Sequence, residues 1–213
     1  MVIVACLFVA ESTVYRELDG CDPWPAGRDA TQYPGTHPVV AHPPCARWCR
    51  LAGLVEARWG IPRGEDGGLF ASALGSVRRW GGVLEHPAYS DAWPAHGLPQ
   101  PHFGPGWQRG TCGGWACHVE QSRYGHRAKK ATWLYHYSPA GYPPSADLRW
   151  GCGGDVRSDA PVSWCGNRTR AGDTRPRLGK AESAATPPAF AAELVRLARA
   201  AREPSRGGGH PGR

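Results

Sequence analysis

The 213-residue sequence lacks a long apolar run. Its first one, "VIVACLFV" (2–9), is far shorter than the roughly 20 residues a membrane-spanning helix needs. It also lacks a basic segment ahead of that run, so the stretch reads as a buried first strand in preference to an export signal. The chain therefore reads as cytoplasmic, with its eight cysteines as thiols rather than a disulfide framework. No internal repeat is present. Glycine is missing from "ACLFVAES" (5–12), so side chains crowd any close backbone approach to a ligand after the first apolar run.

Turn formers and positive charge are plentiful. The chain has 29 glycines, 21 prolines and 10 tryptophans, and a formal net charge of +7. That composition implies many turns and few long helices. Residues 168–213 hold ten Lys/Arg against four Asp/Glu, so most of the excess charge sits in the tail. Such a tail suits an anionic partner. It would attract phosphates without specifying a base.

"VIVACLFV" reads as a strand covered on both faces. "STVYREL" (12–18) reads as a short helical turn capped by Ser12 or Thr13. "GCDPWP" (20–25) reads as a second strand end or turn, and "RDATQYPG" (28–35) as a short strand or loop. "HPVVAHPPC" (37–45) is a strand running into a stiff Pro-Pro turn. Residues 63–81 form a helix on the spacing of Leu69, Phe70, Ala73, Leu74 and Val77. "GGVLEHPA" (81–88) is a further strand. Strands alternating with helices predict a parallel sheet. After residue 100, Trp, Tyr and turn residues predict antiparallel additions. Residues 151–185 read as a flexible Gly/Arg-rich loop and 204–213 as a disordered tail. Residues 186–203 read as a helix, with Thr186 as cap and Phe190, Leu194 and Leu197 on one face.

Three constellations carry chemistry. Cys45 and Glu85 both fall at carboxyl ends of predicted parallel strands, where ligands bind in such sheets. A thiolate can add to carbon 6 of a pyrimidine, and a glutamate at the N3 edge can activate the ring. The same pattern fits a packed thiol and a capping carboxylate. In "EQSRYGHRAKKATW" (120–133), Gln121, Tyr124, His126, Arg127, Lys129, Lys130, Thr132 and Trp133 mix base-reading, stacking and phosphate-binding types. A solvated basic hairpin over buried aromatics reads equally from those residues. Cys112, Cys117 and His118, with Cys152 and Cys165, approximate a zinc spacing, and Cys45 with Cys49 is a second metal alternative. Trp48 suits either base stacking or packing.

"HPPC" followed some forty residues later by "LEHP" resembles motifs four and six of the DNA cytosine carbon-5 methyltransferases. The stretches "VIVACLFVAESTVYREL", "RDATQYPGTHPVVAHPPC", "VRRWGGVLEHPAYSDAWP", "YGHRAKKATWLYHY" and "TPPAFAAELVRLARAA" are similar to short phage and prophage proteins of methyltransferase-like type. "HPPC" is also similar to the Asp/Asn-Pro-Pro-Tyr motif of the amino methyltransferases, with His42 at its acidic or amide position. The cytosine-enzyme resemblance implies an α/β fold: a Rossmann-like, methyltransferase-type sheet, mostly parallel, as one catalytic domain over residues 1–150. It implies Cys45 as nucleophile and Glu85 as base-edge contact. It implies S-adenosylmethionine near Asp22, Asp29, Pro43 and Pro44. Substrate contacts would come from His42, Arg47, Trp48, His86, Gln121, His126, Arg127, Lys129, Lys130 and Thr132. The partner would be DNA or a pyrimidine nucleotide, with no membrane. The family's Phe-x-Gly-x-Gly loop is absent, and His86 stands where its Asn follows the glutamate. Two further outcomes stay open: a DNA-binding or host-interaction relative without cofactor, and an enzyme modifying a free pyrimidine nucleotide, with His126 and Lys129 at its phosphate.

Overall fold

The computed structural model describes residues 1–49, 52–102, 104–145, 147–150, 160–163 and 174–202. Strand β1 (Val4–Val9) is apolar on both sides because both its faces are covered. Val4 and Cys6 enter one core, and Ala5 and Leu7 the other. Near its end Phe8 adopts a left-handed φ of 58°, and the pairing register shifts between Leu7 and Val9. A 3-10 turn (Val14–Glu17) follows, its first turn closed by the Thr13 hydroxyl accepting from the Tyr15 N–H. Strands β2 (Cys21–Pro25) and β3 (Val39–Ala41) flank β1, both parallel to it. The 28–35 stretch forms no strand. It closes in 3-10 turns, with Asp29 capping the second.

Helix α1 (Ala52–Trp59) buries only Ala52 and leaves Leu54 and Trp59 exposed. Helix α2 (Leu69–Trp80) buries Phe70, Ala73, Leu74 and Val77, the spacing its sequence predicts. Its N-terminal amides are satisfied by Asp66, which accepts from the Gly68 and Phe70 N–H groups at 2.9 Å each. Gly81, at φ 78°, ends it, and strand β4 (Gly82–Pro87) begins at once, parallel to β3. A single helical turn, α3 (Ala92–Ala95), leads to strands β5 (Gln108–Arg109), β6 (Trp115–Glu120) and β7 (Ala131–Tyr137).

The seven strands form one mixed sheet in the order β2-β1-β3-β4-β7-β6-β5. The sheet is parallel through β4 and antiparallel beyond it, because β7 returns beside β4 with Glu85 opposite Leu134. A mostly parallel sheet is therefore corrected to a partly parallel one: of its six strand pairings, three are antiparallel. Within residues 151–185, the described part carries the short helix α4 (Lys180–Ala184). Helix α5 (Pro188–Ala200) starts on Pro187 without a side-chain cap, so Thr186 does not cap it. Helix α5 covers one face of the sheet with Phe190, Leu194 and Leu197, and α2 covers the other. Each fully buried Leu or Phe contributes roughly 1.5–3 kcal/mol by leaving water.

Candidate functional site

In the parallel half the order is β2-β1-β3-β4, so it reverses between β1 and β3. Ligands of open α/β sheets sit at such a reversal, beyond the carboxyl ends of the strands. A polar cluster occupies that place. The His42 N–H donates to the Leu7 carbonyl at 3.1 Å, extending the β1–β3 pairing by one residue and fixing the His42 backbone. His42 Nδ1 lies 2.9 Å from Glu85 Oε2, and His42 Nε2 lies 2.8 Å from the Tyr15 hydroxyl. Gln121 Nε2 donates to Glu85 Oε1 at 3.1 Å and to Thr132 Oγ1 at 3.0 Å, and that hydroxyl donates to the Lys130 carbonyl. Gln121 Oε1 is buried and has no hydrogen-bond partner among the described residues.

Glu85 is 8% exposed, yet its carboxyl is held at about 2. Burial alone would raise it. The His42 hydrogen bond and the charges of His42, Lys130 and His86 outweigh burial. Burial, with the negative charge of Glu85 among its neighbours, pushes the Tyr15 hydroxyl well above its ordinary value. His86, the next residue on β4, points to the opposite face. It packs between Phe70 and Trp93 and beside the Pro44 carbonyl, and burial lowers it to about 4.

Cys45 is half-buried in the turn after β3, three residues past His42. Its carbonyl accepts from the Trp48 and Cys49 N–H groups at 3.0 Å each, so the chain coils directly after Pro43 and Pro44. Pro43 is buried and Pro44 exposed, and Arg47 is half-buried in the same coil. Trp48 is a packed indole. It donates to Asp66 Oδ2 at 2.7 Å and lies against Phe70 and His96.

Of the residues singled out in the sequence, His42, Glu85, Gln121 and Thr132 meet directly. Tyr15 joins them, although its sequence context marks only a capped turn. The basic segment engages the chain itself. Arg127 pairs with Glu182, and Lys129 with the buried Glu120 at 3.0 Å. Lys130 Nζ donates to the Ala184 and Ala185 carbonyls at the end of α4. The Ala128 N–H donates to His126 Nδ1 at 3.1 Å. Cys117 and His118 are consecutive on β6 and so face opposite sides of the sheet. Cys117 lies in the core, while His118 Nδ1 accepts from the Trp133 indole at 3.2 Å. Cys112 lies 3.5 Å from the Tyr135 hydroxyl. Among the described residues no group of three or more His, Cys, Asp or Glu side chains is placed to hold a metal, and Cys152 and Cys165 lie outside them.

Two of the residues expected around S-adenosylmethionine, Asp22 and Asp29, are engaged within the chain itself. Asp22 lies opposite Ala5, near the start of β1 and about 10 Å short of the strand ends at the usual rise per residue. Its oxygens are taken by the Trp24 indole at 2.8 Å and by Arg28. Against partial burial, those hydrogen bonds hold its carboxyl below its ordinary value. Asp29 spends its carboxylate on the Thr31 N–H and hydroxyl.

No family model matches the chain, and no curated protein and no solved structure matches it. No helix among the described residues is long and apolar enough to cross a membrane.

Proposed function

We propose that the polar cluster beyond the end of β3 takes the edge of a cytosine base, flipped from DNA, and that the chain is a cytosine-directed DNA modification protein. The observation that carries this reading is Glu85: a buried carboxylate, one residue past the end of the β3–β4 pairing, kept ionised by donors on two sides. An acceptor there requires a ligand that brings the proton. The exocyclic amine of cytosine does so, and N3 does once protonated, whereas uracil offers an acceptor at the amine's position. The buried Gln121 Oε1 adds a second acceptor beside it. Flipping exposes both ring faces and the base edge.

On this reading the Cys45 thiolate adds to carbon 6 while the N3 edge is held at Glu85. Electron density then moves to carbon 5. In heavy water carbon 5 takes a deuteron, loses its original proton to solvent, and the thiolate leaves. The net change is C5–H to C5–D, with the thiol regenerated and no cofactor consumed. The experiment is incubation of a cytosine-containing oligonucleotide with the full chain in heavy water, read by mass spectrometry. Exchange is expected with the wild type, none with Cys45→Ser, and at least a tenfold loss with Glu85→Gln. No exchange with the wild type across varied single- and double-stranded DNA removes the thiol chemistry.

The ties on Asp22 favour a second reading, a DNA-binding relative that works without S-adenosylmethionine. It expects DNA binding to survive Cys45→Ser and the melting temperature to ignore S-adenosylmethionine. A specific ligand would raise that temperature by mass action and so restore methyl transfer as the reaction.

A further inference from the structure

We propose that Tyr15 and His42 form a two-residue relay that positions Glu85 and keeps it an acceptor, making both residues positioning residues for the base site. This inference rests on the reading of Glu85 as the base-edge contact. The geometry sets the proton that faces the carboxylate. An ionised carboxylate only accepts, so the hydrogen between His42 and Glu85 sits on Nδ1. Nε2 meets the Tyr15 hydroxyl at 2.8 Å, and the hydroxyl can serve it as donor or as acceptor, so the ring is held from both ends in either protonation state. Tyr15 is 1% exposed and sits in the α5-side core with Val4, Cys6 and Phe190, so its hydroxyl is aimed by packing. His42 is fixed at its backbone by Leu7 and at its ring from both ends. The relay thus carries the rigidity of the core, through the His42 ring, to the carboxylate.

The charged and titratable groups facing Glu85 are few. His42 comes from the end of β3, Tyr15 from the turn after β1 and Lys130 from just before β7, while His86, on the opposite face of β4, acts only through its charge. Gln121 supplies the neutral donor. Without His42, burial is the largest influence left on Glu85, and it favours the protonated acid. A protonated Glu85 presents an O–H where the base needs an acceptor.

The test has two readouts. The first is a carbon-13 NMR titration of the Glu85 carboxyl in the full chain, which needs no substrate. The wild type should titrate near 2. His42→Ala should raise that midpoint by roughly two or more pH units. His42→Asn, whose amide N–H can stand in for Nδ1–H, should restore part of the shift. Tyr15→Phe, isosteric and with only the hydroxyl removed, should give a smaller rise. The second readout is the acid limb of cytosine carbon-5 exchange, which should move by the same amounts while the rate at neutral pH falls less. A Glu85 midpoint unmoved in both His42→Ala and Tyr15→Phe overturns the relay, whatever the exchange assay shows. A moved midpoint with no exchange by the wild type leaves the relay standing and removes the base chemistry.

Discussion

Glu85, His86 and His136 contribute to the response of this protein to acid, and they act in different windows. Glu85 is lowered from its ordinary 4.5 to about 2. Its stabilising contribution is full above pH 4.5 and is lost as pH falls toward 2. His86 and His136 are each lowered from 6.5 to about 4, mainly by burial. The unfolded chain therefore takes up their protons first, and stability drains as pH falls from 6.5 to 4. The histidines thus dominate mild acid. His136 is fully buried on β7, near the Leu197 carbonyl and the Trp107 ring. His136→Leu should shrink the fall in melting temperature between pH 7 and pH 5, measured by calorimetry. An unchanged fall would refute the assignment. Little of this is legible in the sequence. Cys45 and Glu85 stand out because each ends an apolar run. The Tyr15–His42–Glu85–Gln121 contacts join residues 27, 43 and 36 positions apart, and no spacing rule links them.

At the scale of elements, the sequence reveals what a periodic pattern carries. Strand β1 and helices α2 and α5 are legible because their apolar positions match the faces they bury. Helix α1 is not, because it buries one alanine and leaves the rest half- or fully exposed. The antiparallel direction of β7 agrees with the additions expected after residue 100, but its place beside β4 is not legible, since the pattern of one strand does not say which neighbour it pairs with. Gly82 illustrates a constraint of another kind. At φ 137° it lies so close to β3 that an added Cβ would meet the Val39 carbonyl oxygen at 1.9 Å. That oxygen is backbone inside the β3–β4 ladder and cannot give way. Gly82→Ala should therefore push the two strands apart, costing about 3 kcal/mol or more. Urea unfolding would show this. A cost under about 1 kcal/mol would mean the ladder yields.

For the whole molecule, two apolar layers on opposite faces of one sheet make the stability cooperative. Helix α5, more than a hundred residues after β1, β3 and β4, closes one of them. Leu194 is fully buried there. Leu194→Ala should cost about 3 kcal/mol, and the loss should appear equally in tryptophan fluorescence and far-UV dichroism if the molecule unfolds as one unit. Separate transitions would mean that the α5 face melts alone.

The antiparallel seam between β4 and β7 has a consequence for the order of assembly. Glu85 stands on one side of that seam and Gln121 and Thr132 come from beyond it, so the polar cluster exists only once the last strands have docked beside the first. A chain emerging from synthesis holds His42 and Glu85 long before it holds their partners. Until β7 arrives, the strand-end carboxylate is open to water and to its neighbours alike. Long-range pairing of this kind forms slowly. The polar cluster is thus a late signature of folding, and its protected amide and carboxyl signals would report the moment the sheet is complete.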